Sequence, residues 1–178
     1  MWRRVSFTGH RPEKIDGWSA HPERVEREIR AALADHILRV AREGATTFLS
    51  GMAPGVDLWA ADEVLRLRAE GLLGGEVRLI AAVPYPNFCK SFAPQERGLY
   101  DSVVARADEV VYLCNRYRHG CFAERNNYLV DNAETLIAYY EGSKGGTQYT
   151  LRRAIAKGLR VANIHSPGLF DGELIGDV

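Results

Sequence analysis

The chain has 178 residues, of which 46% are hydrophobic and 26% charged. That is ample for one packed domain and cramped for two. Its 23 Lys and Arg balance 23 Asp and Glu, so no bulk positive charge marks a nucleic-acid or membrane-surface binder, although a local basic patch fits this balance. Three cysteines (Cys89, Cys114, Cys121) are too few for a disulfide scaffold and suit a reducing cytoplasm. No apolar run approaches the length of a membrane span, so no membrane partner is expected.

Residues 4–8 read as a strand running into a glycine loop, not as a signal peptide. The loop is Thr8-Gly9-His10-Arg11-Pro12. Val25, Ile29, Leu33, Ile37 and Val40 then share one helical face, with Pro22 near the start and Gly44 after the end. A second apolar run, 46–50, leads into Ser50-Gly51-Met52-Ala53-Pro54-Gly55-Val56-Asp57 and a helix expected over 56–69. The run 77–83 ends in Pro84-Tyr85-Pro86, and a helix is expected over 94–107. The run 109–113 is followed by a helix over 123–131. The run 135–140 enters Glu141-Gly142-Ser143-Lys144-Gly145-Gly146-Thr147, and a last helix from about Thr147 should bury Leu151, Ala154 and Ile155 and stop at Gly158. A strand over 160–164 closes the pattern, leaving a short tail, 168–178, with no assigned role.

Consecutive apolar residues in most of these runs indicate strands buried on both faces. Strands alternating with helices indicate an α/β fold: a mostly parallel sheet of about six or seven strands with helices on both faces. Ligands of such sheets bind at the loops after the strands. A glycine turn that opens a helix offers free N–H groups and the positive end of the helix dipole to an anion. Ser50-Gly51…Gly55 and Gly145-Gly146-Thr147 have that form, though neither is a Walker A loop or a full G-x-G-x-x-G, and both also read as ordinary tight turns. Arg11 and Arg125 are candidate anion clamps; Arg125 reads equally as a solvated helix charge. Asp57 falls in the first turn of its helix, where a carboxylate suits the dipole. Asp131 sits near a helix end, where it does not, which points to a partner such as a ribose hydroxyl, an arginine or His10. His10 is a candidate acid–base group or phosphate donor, or simply a polar loop residue. Cys114, His119 and Cys121 lack zinc-ligand spacing and a fourth ligand, so no metal is expected. Tyr117, Tyr128, Tyr139, Tyr140 and Phe122 read as core and rim, with a base-stacking surface as the alternative.

Four motifs occur in order: Phe7-Thr8-Gly9-His10-Arg11-Pro12, Ser50 through Ala61, Arg125-Asn126-Asn127-Tyr128-Leu129-Val130-Asp131, and Leu136 through Thr150. Together they resemble the YpsA-like family, a domain of unknown function within the SLOG superfamily, over about residues 4–165. The resemblance implies a single Rossmann-like domain for 1–178 and a pocket for a nucleotide-derived, phosphorylated ligand of the NAD, ADP-ribose or nucleoside-phosphate type, with no required cofactor. It sets Thr8, Gly9, His10 and Arg11 in the first loop, and Ser50, Gly51, Gly55 and Asp57 in the first glycine loop. Gly145, Gly146 and Thr147 fall in the phosphate-facing loop, and Arg125, Asn126 and Asp131 in the motif of this branch. The superfamily also holds LOG phosphoribohydrolases and the DNA-processing protein DprA. A sensor or regulatory module is therefore the first expectation, acting through a partner or a homo-oligomer. A LOG-type N-glycosidic or phosphate hydrolase, with Asp57, Asp131 or His10 catalytic, and a single-stranded DNA binder using Arg116-Tyr117-Arg118-His119 and Arg152-Arg153 are the alternatives. LOG enzymes carry a glutamate where this chain has Thr150, and the family's usual tryptophan stands here as Phe92.

Overall fold

A computed structural model describes residues 3–165; the tail 168–178 lies outside them. Six strands form one sheet: β1 (Arg4–Thr8), β2 (Thr47–Ser50), β3 (Arg78–Val83), β4 (Glu109–Tyr112), β5 (Thr135–Ala138) and β6 (Arg160–Asn163). Five helices connect them: α1 (Pro22–Arg42), α2 (Val56–Ala69), α3 (Pro94–Arg106), α4 (Cys121–Asp131) and α5 (Gly146–Ala156). The strand order is β4-β3-β2-β1-β5-β6, and every neighbouring pair is parallel.

Alternate strand residues feed two cores, because successive side chains leave a strand on opposite faces. Val5, Phe7, Phe48, Leu79, Ala81, Val83 and Ile137 pack with α1, α2 and α3. Leu49, Ile80, Ala82, Leu136 and Ala138 face the other way, toward α4 and α5. The helix α1 buries Val25, Ile29, Leu33, Ile37 and Val40, the face read from their spacing. The helix α2 is buried on nearly all sides because it lies between α1 and α3 over the sheet.

The strand β1 matches its apolar run, β2 and β3 begin one residue late, β4, β5 and β6 end one or two residues short, and α4 starts two residues earlier than expected, at Cys121. Two 3-10 turns, Pro12–Lys14 and Phe88–Ser91, were not foreseen. One expected core residue is misplaced: Leu151 and Ala154 are buried, but Ile155 is 36% exposed. It follows Ala154 directly, and one step along a helix turns a side chain by about 100°. Among the described residues no helix is long and apolar enough to cross a membrane.

From β1 the chain winds out through β2, β3 and β4, then returns to lay β5 on the opposite side of β1. The crossover direction reverses between β1 and β5. Loops on either side of such a switch point diverge and leave a crevice at the carboxyl ends of the strands.

Candidate functional site

A cleft occupies that crevice. It is lined by Thr8, Gly9, His10, Arg11 and Lys14 after β1, and by Ala53 and Asp57 after β2. Arg125 and Asn126 of α4 and Lys144, Gly145, Gly146 and Thr147 after β5 complete it. Its enclosed part is about 130 Å³. Whole small-molecule sites start at about 300 Å³, so this cleft is a small one.

The first glycine loop is closed upon itself. The Ser50 hydroxyl donates to the Asp57 carbonyl (2.7 Å) and accepts from the Met52 N–H (3.2 Å). The Val56 N–H donates to the His10 carbonyl (3.3 Å) and the Leu58 N–H to the Ala53 carbonyl (3.2 Å). The Ala53 N–H is taken by the Asp57 carboxylate. Gly55 has φ +88°, and a Cβ there would lie 2.5 Å from the His10 carbonyl oxygen, so the β1 loop lies directly over the start of α2. Of the amides expected to receive phosphate from Gly51 to Gly55, those of Met52 and Ala53 are thus taken within the protein. Ser50, Gly51 and Gly55 stand behind the cleft wall, not in it.

What the loop does instead is house a buried pair of opposite charges. Arg125 donates through Nη1 to the Gly51 carbonyl and through Nε to Asn126 Oδ1 (2.9 Å). A Cβ on Gly51 would lie 2.7 Å from Asp57 Oδ2 and 2.8 Å from Arg125 Cδ, so glycine alone lets these side chains close over the backbone. Burial pushes the Asp57 carboxyl up to about 6, against the pull of Arg125, the Ala53 N–H and Arg11. Burial likewise pulls the Arg125 guanidinium below its ordinary range, with Asp57 holding it up and Arg11 pressing it down. Asp57 Oδ1 is buried with no hydrogen-bond partner among the described residues. Arg125 is therefore a built part of the interior, not the solvated helix charge that its sequence context also allowed.

The second glycine loop is open. Gly145, Gly146 and Thr147 begin α5, and their N–H groups have no backbone acceptor among the described residues. Arg11, Lys14 and Lys144 reach this rim with no ion-pair partner among the described residues. His10 is buried, with Nε2 against Glu141 Oε2 and Nδ1 3.5 Å from Thr147 Oγ1. Burial pushes the Glu141 carboxyl up, but hydrogen bonds from Ser143 and its own backbone, together with His10, hold it below its ordinary value. Glu141, Lys14 and Lys144 were not singled out in the sequence. Glu141 lies three residues past β5, and what brings it to His10, two residues past β1, is the pairing of β5 with β1.

Asp131 is not at the cleft. It lies at the far end of α4, where its carboxylate accepts from Arg153 (2.8 Å) and from Lys157. Of the partners expected for it, the arginine is the one it has. The hydrogen bond from Lys157 and the nearby Arg153 lower its pKa despite some burial. Thr150, at the position where the resemblance expects a LOG glutamate, donates to the Gly146 carbonyl within the first turns of α5 (2.8 Å). No group of three or more His, Cys, Asp or Glu side chains among the described residues could hold a metal.

The profile of the YpsA family, described as the YspA SLOG family, matches residues 5–164. The chain belongs to the YpsA family. Similar relatives include a UPF0398 protein of Bacillus cereus strain B4264, 24% identical over 91% of this chain and 87% of its own length. Another is a UPF0398 protein of Halalkalibacterium halodurans, 27% identical over 80% and 75%. Among solved structures, DprA from Streptococcus pneumoniae matches with a TM-score of 0.58 at 17% identity, over 90% of this chain and 49% of that one. DprA from Helicobacter pylori, solved to describe its single-stranded DNA binding mode, matches with a TM-score of 0.57 at 16% identity, over 89% and 63%. The YpsA-family chain thus spans about half to three fifths of these DprA chains, and at such identities the likeness speaks for the Rossmann-like fold.

Proposed function

We propose that the cleft binds a small phosphorylated ribose compound derived from a nucleotide, and that the protein works as a sensor or regulatory module for it. The carrying observation is the pairing of two complementary ends. At one end, open N–H groups of Gly145 to Thr147 are ringed by the unpaired cations of Arg11, Lys14 and Lys144, the arrangement that a phosphate dianion needs. At the other, the unpartnered Oδ1 of Asp57 supplies what a ribose hydroxyl needs. Arg125 has one nitrogen, Nη2, left without a protein partner among the described residues, and it completes the clamp. The free thiols of Cys89, Cys114 and Cys121 suit a reducing cytoplasm.

Titration calorimetry with ribose 5-phosphate tests this. Arg11→Ala and Lys144→Ala should each weaken binding by about tenfold, the size of a charge-assisted hydrogen bond, with unfolding midpoints unchanged. Equal affinity in the wild type and both variants would remove the phosphate end of the proposal. Single-stranded oligonucleotide, suggested by the Helicobacter pylori likeness, is the competitor to include.

One observation favours a second reading, hydrolysis of the bound ligand. With Nε2 held by Glu141, the other nitrogen of His10, Nδ1, meets the Thr147 hydroxyl (3.5 Å) at the cleft. There it could take a proton from an attacking water. Incubating bound nucleotide and looking for free base or phosphate separates the readings, and turnover lost in His10→Gln with binding retained would select this one.

A further inference from the structure

Three side chains at the start of α5 form a chain of contacts that ligand binding alone leaves unused. Glu141 Oε2 touches His10 Nε2, and His10 Nδ1 meets Thr147 Oγ1 at 3.5 Å. A carboxylate only accepts hydrogen bonds, so the Glu141 contact puts the imidazole proton on Nε2 and leaves Nδ1 as the basic nitrogen. The Thr147 hydroxyl then donates to Nδ1. A hydroxyl, a base within reach of it and a third group that orients the base make up the pattern of an activated nucleophile, whose hydrogen bonds run looser than ordinary ones until substrate binds.

Each member is fixed by a different part of the fold. The His10 carbonyl accepts from the Val56 N–H (3.3 Å). The His10 ring packs edge-on to Tyr139 and tilted to Tyr140, with centroids 6.2 Å away in both cases. Hydrogen bonds from Ser143 and from its own backbone hold Glu141. Thr147 stands in the first turn of α5. His10 and Thr147 are only 6% and 8% exposed, yet both line the cleft, so the pair is shielded from bulk water on the side away from a ligand. Asp57 lines the same cleft, with its buried Oδ1 unpartnered among the described residues, a second polar group that a bound molecule would satisfy.

We propose that Thr147 is a covalent nucleophile, with His10 as its base and Glu141 positioning His10, and that the cleft hydrolyses a phosphate monoester through a phosphothreonine. This rests on the phosphate and hydrolysis readings above, and it puts Thr147 in the place of the attacking water. In the first step the bond from Thr147 Oγ1 to phosphorus forms and the bond from phosphorus to the ester oxygen breaks. His10 Nδ1 takes the hydroxyl proton and passes it to the leaving alcohol. In the second step a water oxygen bonds to phosphorus and the Oγ1–phosphorus bond breaks, while a proton of that water returns through Nδ1 to Oγ1. The sum is one ester and one water consumed, one alcohol and one phosphate formed. The open amides of Gly145 to Thr147 and the cations of Arg11, Lys14 and Lys144 stabilise the charge on the transferred oxygens. All of these groups address the phosphoryl group, so the substrate class is a phosphate monoester, whatever its alcohol.

The experiment incubates the full chain with para-nitrophenyl phosphate and follows nitrophenol release. Samples are quenched in acid, in which phosphothreonine survives, and their peptides are mapped by mass spectrometry. A phosphate on Thr147 is expected in the wild type. Thr147→Ala and His10→Gln should each lower kcat by about 100-fold or more, the size of general-base catalysis, and Thr147→Ser should keep most of the rate. Glu141→Gln should lower kcat with KM unchanged, which marks a residue that acts through His10 and not on the substrate. Unchanged unfolding midpoints verify that the variants fold. Nitrophenol release with no phosphate on Thr147, or undiminished release by Thr147→Ala, overturns the nucleophile and leaves attack by water standing. Neither release nor adduct removes the hydrolysis reading together with this one, whereas the binding reading stands or falls by ribose 5-phosphate calorimetry alone.

Discussion

The two glycine loops look alike on paper and do opposite things. Each follows a strand, each carries a pair of glycines, and each opens a helix. The loop after β2 is closed: its Met52 and Ala53 amides are taken internally, and it wraps the Asp57 and Arg125 side chains. The loop after β5 is open, with no neighbour within 4 Å of a Gly145 Cβ and only Asn126 near that of Gly146. The difference comes from position in the sheet. The β1 loop folds over the start of α2 and takes the Val56 amide, whereas α5 starts across the switch point, where nothing covers it. A helix that begins at glycine is a candidate anion site only when its first amides are left over once the neighbouring loop has closed.

If the closed loop is structural, crowding it should unfold the protein. Gly51→Ala should cost about 1–3 kcal/mol, as overpacking does, read by urea unfolding; a loss under about 0.5 kcal/mol would mean that the loop is not closed. Next in size is the Asp57 proton. An unfolded aspartate releases its proton near 3.8 and the folded one near 6. The folded chain therefore holds a proton that the unfolded chain has lost across that window. The contribution of Asp57 to stability is greatest below about pH 4, declines as pH rises toward 6, and stays low above. Asp57→Asn should flatten that decline and leave the variant more stable at pH 7, by on the order of 2 kcal/mol. Identical pH profiles for variant and wild type would refute the burial of the charge.

Two smaller effects bound the comparison. Asp131→Asn removes a carboxylate outside both loops. It should cost no more than about 1 kcal/mol, the range of exposed ion pairs, and leave ribose 5-phosphate affinity unchanged. A lost affinity would return Asp131 to the site. Gly146→Ala should change stability by less than about 0.5 kcal/mol, and any effect should appear in ligand affinity. A large stability loss there would erase the distinction between the loops.

Much of this was legible in the sequence. Apolar runs located all six strands, since strands covered on both faces must be continuously apolar, and the β1, α4 and β5 motifs named most of the cleft wall. What escaped notice depends on which elements lie side by side. Glu141 becomes meaningful only when β5 is known to pair with β1 and so to face His10. Asp131 did want a cationic partner, as its place at a helix end suggested, but the partners come from α5, a neighbour visible only in the folded packing. Ser50, Gly51 and Gly55 were rightly set in one loop with Asp57; that the Met52 and Ala53 amides go to Ser50 and Asp57 and the Val56 amide to the β1 loop is a matter of the folded packing. Ile155 shows the same limit, because the helix period left the edge of its buried face ambiguous by one residue.

The placement of β1 also bears on how the molecule is made. Thr147 and His10 meet across 137 residues of chain, and β5, which must pair with β1, is among the last strands to be synthesised. A chain growing from its N-terminus can dock α2 and shut the first glycine loop early, but until β5 arrives the β1 edge from Val5 to Thr8 stands unpaired. An apolar strand edge is a template for pairing with another chain. The interval between the emergence of β4 and that of β5 is accordingly when this protein is most exposed to aggregation during synthesis, and variants that slow the seating of β5 should reveal themselves first as poor soluble yield.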